Sequence, residues 1–272
     1  MDSDVFGKAI RLRDEGQHNE AAEIFLSLAR QIDNAFERAG MLLNVANSLK
    51  SAGHLADARK QLNLARELLI SGQDCVFAKP DGEMRHRLLI GADVEEARIS
   101  AAAGDVSGAI ASLDAILTRQ SSALSSDGYA DVYQAIQRDR AFLLTDSGRC
   151  EEALPILVEA NSADPHDRWT LFYLGYCYHI TDQYLEANSK LEEAISLNLP
   201  SVFESQAHCL VGVAYFKLGN YTKAKIELEE GAKTAPPAYL KEAKVWRWLE
   251  CTCASLGLRA EAERYRMLAN PS

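Results

Sequence analysis

Apolar positions along the 272-residue chain recur with the spacing of helices, in stretches of helix length that come in pairs. Each pair is joined by a short phrase that recurs seven times. It reads Gly16-Gln-His-Asn-Glu-Ala21, Gly53-His-Leu-Ala-Asp-Ala58, Gly104-Asp-Val-Ser-Gly-Ala109 and Gly148-Arg-Cys-Glu-Glu-Ala153. It continues as Asp182-Gln-Tyr-Leu-Glu-Ala187, Gly219-Asn-Tyr-Thr-Lys-Ala224 and Gly257-Leu-Arg-Ala-Glu-Ala262. Glycine ends the first helix by taking a left-handed conformation without a Cβ penalty, and Asp182 replaces it in the fifth copy. Acidic residues such as Glu20, Glu152 and Glu261 then favour the start of the next helix. Four residues after the alanine stands a large apolar residue: Phe25, Leu62, Leu113, Leu157, Leu191 or Leu228. Twelve residues before it stands a small one: Ala9, Ala46, Ala97, Ala141, Gly175 or Gly212. The pattern predicts an all-α chain of about fourteen helices in seven antiparallel pairs with small-on-small contacts.

Spacing between the alanines is uneven. Insertions fall near 73–89 and 124–133, in segments rich in Gly, Ser, Pro and Asp that read as loops, with longer flanking helices as a second option. A break into two bodies near 72–86 is compatible with this arithmetic but is not required by it.

These residues resemble the tetratricopeptide repeat family. The fifth and sixth copies match best: Leu174-Gly175-x-x-Tyr178 with Ala187, Leu191, Ala194 and Pro200, then Val211-Gly212-x-x-Tyr215 with Gly219, Tyr221, Ala224 and Pro236. The resemblance implies one domain over 1–272, with repeats near 2–35, 39–72, 90–123, 134–167, 168–201, 205–238 and 243–272. It implies a right-handed superhelical solenoid whose first helices line a concave groove. By the family's groove positions, Trp169, Phe172, Tyr176, His179 and Ile180 face that groove in copy five. Arg138 and Phe142 do so in copy four, and Val213, Phe216 and Lys217 in copy six. Arg98 belongs to copy three, and Lys244 and Arg247 to copy seven. Trp169, Phe172 and Tyr176 fall on one helical stripe, which reads either as groove wall or as core. A Lys/Asn clamp for C-terminal carboxylates is disfavoured: Asn44 and Asn47 stand in copy two, but Phe6 and Ile10 occupy the partner positions in copy one.

With Lys+Arg 29 against Asp+Glu 39, the net charge of −10 argues against nucleic-acid or membrane-surface partners. No apolar run is long enough for a membrane span and the start carries no secretory pattern, so a cytoplasmic protein is expected. Six cysteines at this length suggest no disulfide framework. The histidines do not cluster: His18, His54, His86 and His166 are expected at the surface, and His179 near the groove. Cys251 and Cys253 point to different sides of one helix, so no metal is expected. Paired carboxylates such as Glu95-Glu96 are expected on solvated faces, and phosphate-loop and nucleophile motifs are absent. The expectation is a non-enzymatic adaptor that binds a protein or peptide in its groove, with no cofactor. A self-assembling repeat protein and a ligand-sensing regulatory subunit are the alternatives.

Overall fold

The computed structural model describes residues 3–71, 79–124, 127–235 and 244–270. Among them it contains fifteen α-helices and no strand. The helices are α1 (Ser3–Asp14), α2 (His18–Arg30), α3 (Ala35–Ser51), α4 (Leu55–Ser71), α5 (Lys79–Ala102), α6 (Val106–Arg119), the short α7 (Ser121–Leu124) and α8 (Ala130–Asp146). They continue with α9 (Cys150–Ala163), α10 (Arg168–Ile180), α11 (Tyr184–Ser196), α12 (Ser201–Lys217), α13 (Tyr221–Thr234), α14 (Val245–Ser255) and α15 (Arg259–Ala269).

The seven turn phrases fold alike. Gly16, Gly53, Gly104, Gly148, Gly219 and Gly257 all have positive φ, and Asp182 adopts the same region at φ 62. In each turn the residue after this position donates its N–H to a carbonyl five residues back, as Gln183 does to Tyr178 (2.9 Å) and Asn220 to Tyr215 (2.9 Å). This bond satisfies a carbonyl that the helix end would otherwise leave unpaired. Space around Gly219 is open, so only backbone strain opposes a side chain there. Gly219→Ala is expected to cost about 1 kcal/mol, left-handed strain exceeding the entropy removed from the unfolded chain. Urea unfolding of the variant beside the parent checks this.

The seven phrase alanines are buried, as are all six large apolar residues four positions on. One packing detail differs from expectation. A Cβ added at Gly175 would lie 2.7 Å from Leu191 Cγ, and one at Gly212 would lie 2.6 Å from Leu228 Cγ. The small residue of the first helix therefore sits beneath the large residue of the second. The contact that demands a small side chain is small-under-large.

The chain divides into two compact units, 1–143 and 144–272. The boundary falls inside α8, whereas the sequence left a break near 72–86 open without requiring it. In the N-terminal unit, α1–α2, α3–α4 and α5–α6 form successive hairpins over a core that includes Phe25, Leu42 and Leu69. The C-terminal half of the first insertion is helix, because α5 already starts at Lys79; residues 72–78 lie outside the described residues. The second insertion holds the end of α7, a 3-10 turn (Asp127–Tyr129) and the start of α8. In the C-terminal unit, α10–α11, α12–α13 and α14–α15 stack in order, with Leu191 and Val211 in one apolar cluster and Leu228 and Leu249 in the next. Pro236, assigned to the sixth copy, lies outside the described residues.

Candidate functional site

Between α3, α5 and α8 of the N-terminal unit, charged groups satisfy one another. Lys50 on α3 reaches Glu95 on α5 (3.0 Å), Arg98 pairs with the same Glu95 (3.0 Å), and Arg98 continues to Asp139 on α8 (2.7 Å). Those carboxylates hold the Arg98 guanidinium firmly in its charged form against burial. Arg98, a predicted groove residue, is therefore committed to internal pairs. Glu95 is only 4% exposed, which corrects the expectation of a solvated face; its neighbour Glu96 pairs with Arg59. Asn44 is committed as well, accepting from Arg13 (3.3 Å) and donating to the Gly40 carbonyl. Arg138 and Phe142 are half-buried on α8 in the same unit.

One other surface expectation changes, that for His86, and His208 is tied down in the same way. His86 is held by Tyr129 Oη (2.9 Å) and Gln120 Oε1 (3.0 Å), and His208 by Glu227 (2.8 Å). Both are structural hydrogen-bonding residues.

The C-terminal unit differs. Its α10 stripe divides into a core half and an open half. Phe172 is 3% exposed, and the rings of Trp169 and Phe172 meet Phe203 of α12 edge-on, at 4.9 and 5.4 Å between centroids. These two residues pack repeat five onto repeat six. A turn further along, Tyr176, His179 and Ile180 line a cleft of about 590 Å³. Helix α12 contributes Gln206, Cys209, Leu210 and Val213, and α14 contributes Lys244, Val245 and Trp248. Positions 206, 209, 210 and 213 form one helical stripe, so α12 is the floor between two walls. Ile180 is half-exposed at the mouth, and the cleft is open to solvent.

The walls are braced from behind. Trp248 meets Phe216 edge-on at 5.4 Å, Lys217 lies over the Trp248 ring at 5.8 Å, and Phe216 in turn packs on Tyr221. His179 meets Tyr184 at 5.6 Å. Burial holds the His179 imidazole below its ordinary pKa, with Lys217 adding to the shift and Asp182 opposing it. The ring is neutral at pH 7. Burial pushes the Cys209 thiol up to about 11 and raises the Tyr176 phenol, so neither carries charge. Gly231 lets α13 close on α12 behind Cys209, where a Cβ would come within 2.8 Å of the sulfur. Lys244 is thus the charged group of the lining, and no carboxylate lines the cleft among the described residues.

Of the predicted groove residues, the cleft gathers Tyr176, His179, Ile180, Val213 and Lys244, with Phe216 and Lys217 bracing Trp248. Sequence reasoning did not select Gln206, Cys209, Leu210, Val245 or Trp248. Among the described residues no three His, Cys, Asp or Glu side chains converge to hold a metal, and no helix is long and apolar enough to cross a membrane.

The hairpin that forms the floor identifies the architecture. Residues 205–237 match the tetratricopeptide repeat family, and they cover most of α12 together with α13. Solved structures agree over longer spans. A member of the Cut9–Hcn1 hetero-tetramer of APC/C aligns over 97% of this chain and 45% of its own, with TM-score 0.65 and 16% identity. This is the tetratricopeptide-repeat fold. BtubC from P. vanneervenii matches with TM-score 0.54 and 18% identity, over 80% of this chain and 88% of its own. MamA gives TM-score 0.52 and 21% identity, over 66% and 89%. At these identities the likeness concerns the tetratricopeptide fold alone. No curated protein matches the chain in sequence.

Proposed function

We propose that this tetratricopeptide protein is a non-catalytic adaptor whose C-terminal unit captures a segment of a partner protein in the cleft between α10, α12 and α14. The observation that carries this reading is the open, braced cleft of about 590 Å³, lined mainly by apolar and aromatic side chains. A few apolar anchors inserted there would bury surface worth about 25 cal/mol per Å² before ordering costs. Trp248 is held in place before binding, so its contribution costs little ordering entropy. Tyr176 and His179 form the opposite wall. Trp169 and Phe172 act indirectly, by fixing α10 against α12, and Arg138 and Phe142 stand outside this site.

The test fills the cleft from its floor and, separately, removes one wall. Gln206→Trp places a large ring on the half-buried floor, and Trp248→Ala removes the wall. Both variants are checked for helicity by circular dichroism and compared with the parent in affinity capture. A partner retained by the parent and at least tenfold depleted with either folded variant is the expected result. A partner retained equally by all three would mean that binding takes place elsewhere.

A further inference from the structure

The cleft's chemistry narrows what it accepts. Its apolar surface is Leu210, Val213, Val245 and the face of Trp248. Lys244 and Trp248 are four residues apart at the start of α14, so cation and ring share one helix face with roughly 5–6 Å between their Cβ atoms. Lys50, Lys190, Lys225 and Lys233 each pair with a glutamate. Like Lys223, neither Lys217 nor Lys244 has an ion-pair partner among the described residues; Lys217 lies over the Trp248 ring and Lys244 lines the cleft with it. Acidic residues outnumber basic ones by ten over the whole chain, yet none lines this cleft among the described residues. The excess of acid elsewhere would repel an acidic segment from most of the surface, so the cleft is where such a segment gains.

We propose that the occupant is an acidic protein segment that carries one large apolar or aromatic side chain with an Asp or Glu within about one helical turn of it. The apolar side chain lies against Trp248, Leu210 and Val213, and the carboxylate meets Lys244 with Lys217 behind it. This rests on the reading of the cleft as the binding site. Basic segments are excluded by the two lysines, and segments without a large apolar residue leave the floor unfilled.

The experiment is selection of random twelve-residue peptides, displayed on phage, against the full chain. The selected peptides are then titrated by fluorescence anisotropy against parent, Trp248→Ala, Gln206→Glu and Lys244→Glu. Lys244 is exposed at the helix start, so its replacement does not threaten folding. The expected outcome is enrichment of Trp, Phe or Leu beside Asp or Glu, with affinity falling at least tenfold for Lys244→Glu and weakening as salt rises. Exchanging the peptide's acid for lysine is expected to restore binding to Lys244→Glu. Peptides that depend on Trp248 but carry no acid, or bind independently of salt, would overturn the charge proposal while leaving the cleft as the site. Peptides that bind the parent and all three variants alike would overturn the site reading itself. Failure to enrich any peptide would overturn the proposal that a short segment suffices.

Discussion

Leu191→Ala is expected to cost about 2–5 kcal/mol, the range for truncating a buried leucine and leaving a cavity. Leu191 is fully buried, its Cγ lies where a Cβ on Gly175 would have to go, and it belongs to the cluster that includes Phe172 and Val211. The pairing makes a sharper test than the single loss. On the parent background Gly175→Ala overpacks this contact, and the gain in helix propensity offsets only part of it, for a net cost of about 1 kcal/mol. On the Leu191→Ala background the side-chain clash is gone and only the 3.1 Å approach to the backbone nitrogen of residue 191 remains, so the same change should cost markedly less. The cost of Gly175→Ala thus falls from one background to the other, the coupling that contact between the two positions produces. All three tryptophans lie in the C-terminal unit, so urea unfolding followed by tryptophan fluorescence reports this region. Equal effects of Gly175→Ala on both backgrounds would refute the small-under-large contact.

The second large effect belongs to the N-terminal unit. Glu95→Ala removes the carboxylate shared by Lys50 and Arg98 and leaves two poorly exposed cations without it. Breaking a buried pair from one side costs about 3 kcal/mol or more, and Asp139 compensates Arg98 alone. Hydrogen exchange should show faster opening of α3, α5 and α8, alongside a lower urea midpoint by circular dichroism. Replacing both ends in Lys50→Met/Glu95→Leu should recover much of the loss, because the desolvation penalty goes with the charges. If Glu95→Ala is silent, the glutamate is solvated after all and the network has no structural weight.

The fold was legible because its determinants are local. A residue able to reach positive φ, a five-residue offset to alanine and a large apolar residue four positions on each act within one hairpin, and all seven turns took the expected conformation. Even Asp182 could be assigned, since the phrase around it kept its register. The site was legible only in part, because it depends on contacts between hairpins. Trp169, Phe172 and Tyr176 share one stripe, and spacing alone does not say that the first two meet Phe203 while the third faces open space. A signal for two missed residues was present: the groove positions used for copy five, carried to copy six, fall on Gln206 and Cys209. Trp248 lies off those positions and reaches the cleft because Phe216 and Lys217 hold its ring there. Glu95 was misjudged for a similar reason, since its burial depends on Lys50 from another hairpin.

The most direct measurement uses the indole N–H signals of the three tryptophans in a ¹⁵N–¹H correlation spectrum. Trp169 packs on Phe203, Trp246 stacks on Tyr265 at 6.1 Å, and Trp248 lines the cleft. Assignment follows from single Trp→Phe variants, and the titrant is a selected acidic-aromatic peptide. The Trp248 signal is predicted to move in proportion to occupancy while those of Trp169 and Trp246 hold nearly still. Movement of Trp169 with Trp248 unmoved would contradict the account and place recognition on the half of the α10 stripe assigned here to the core.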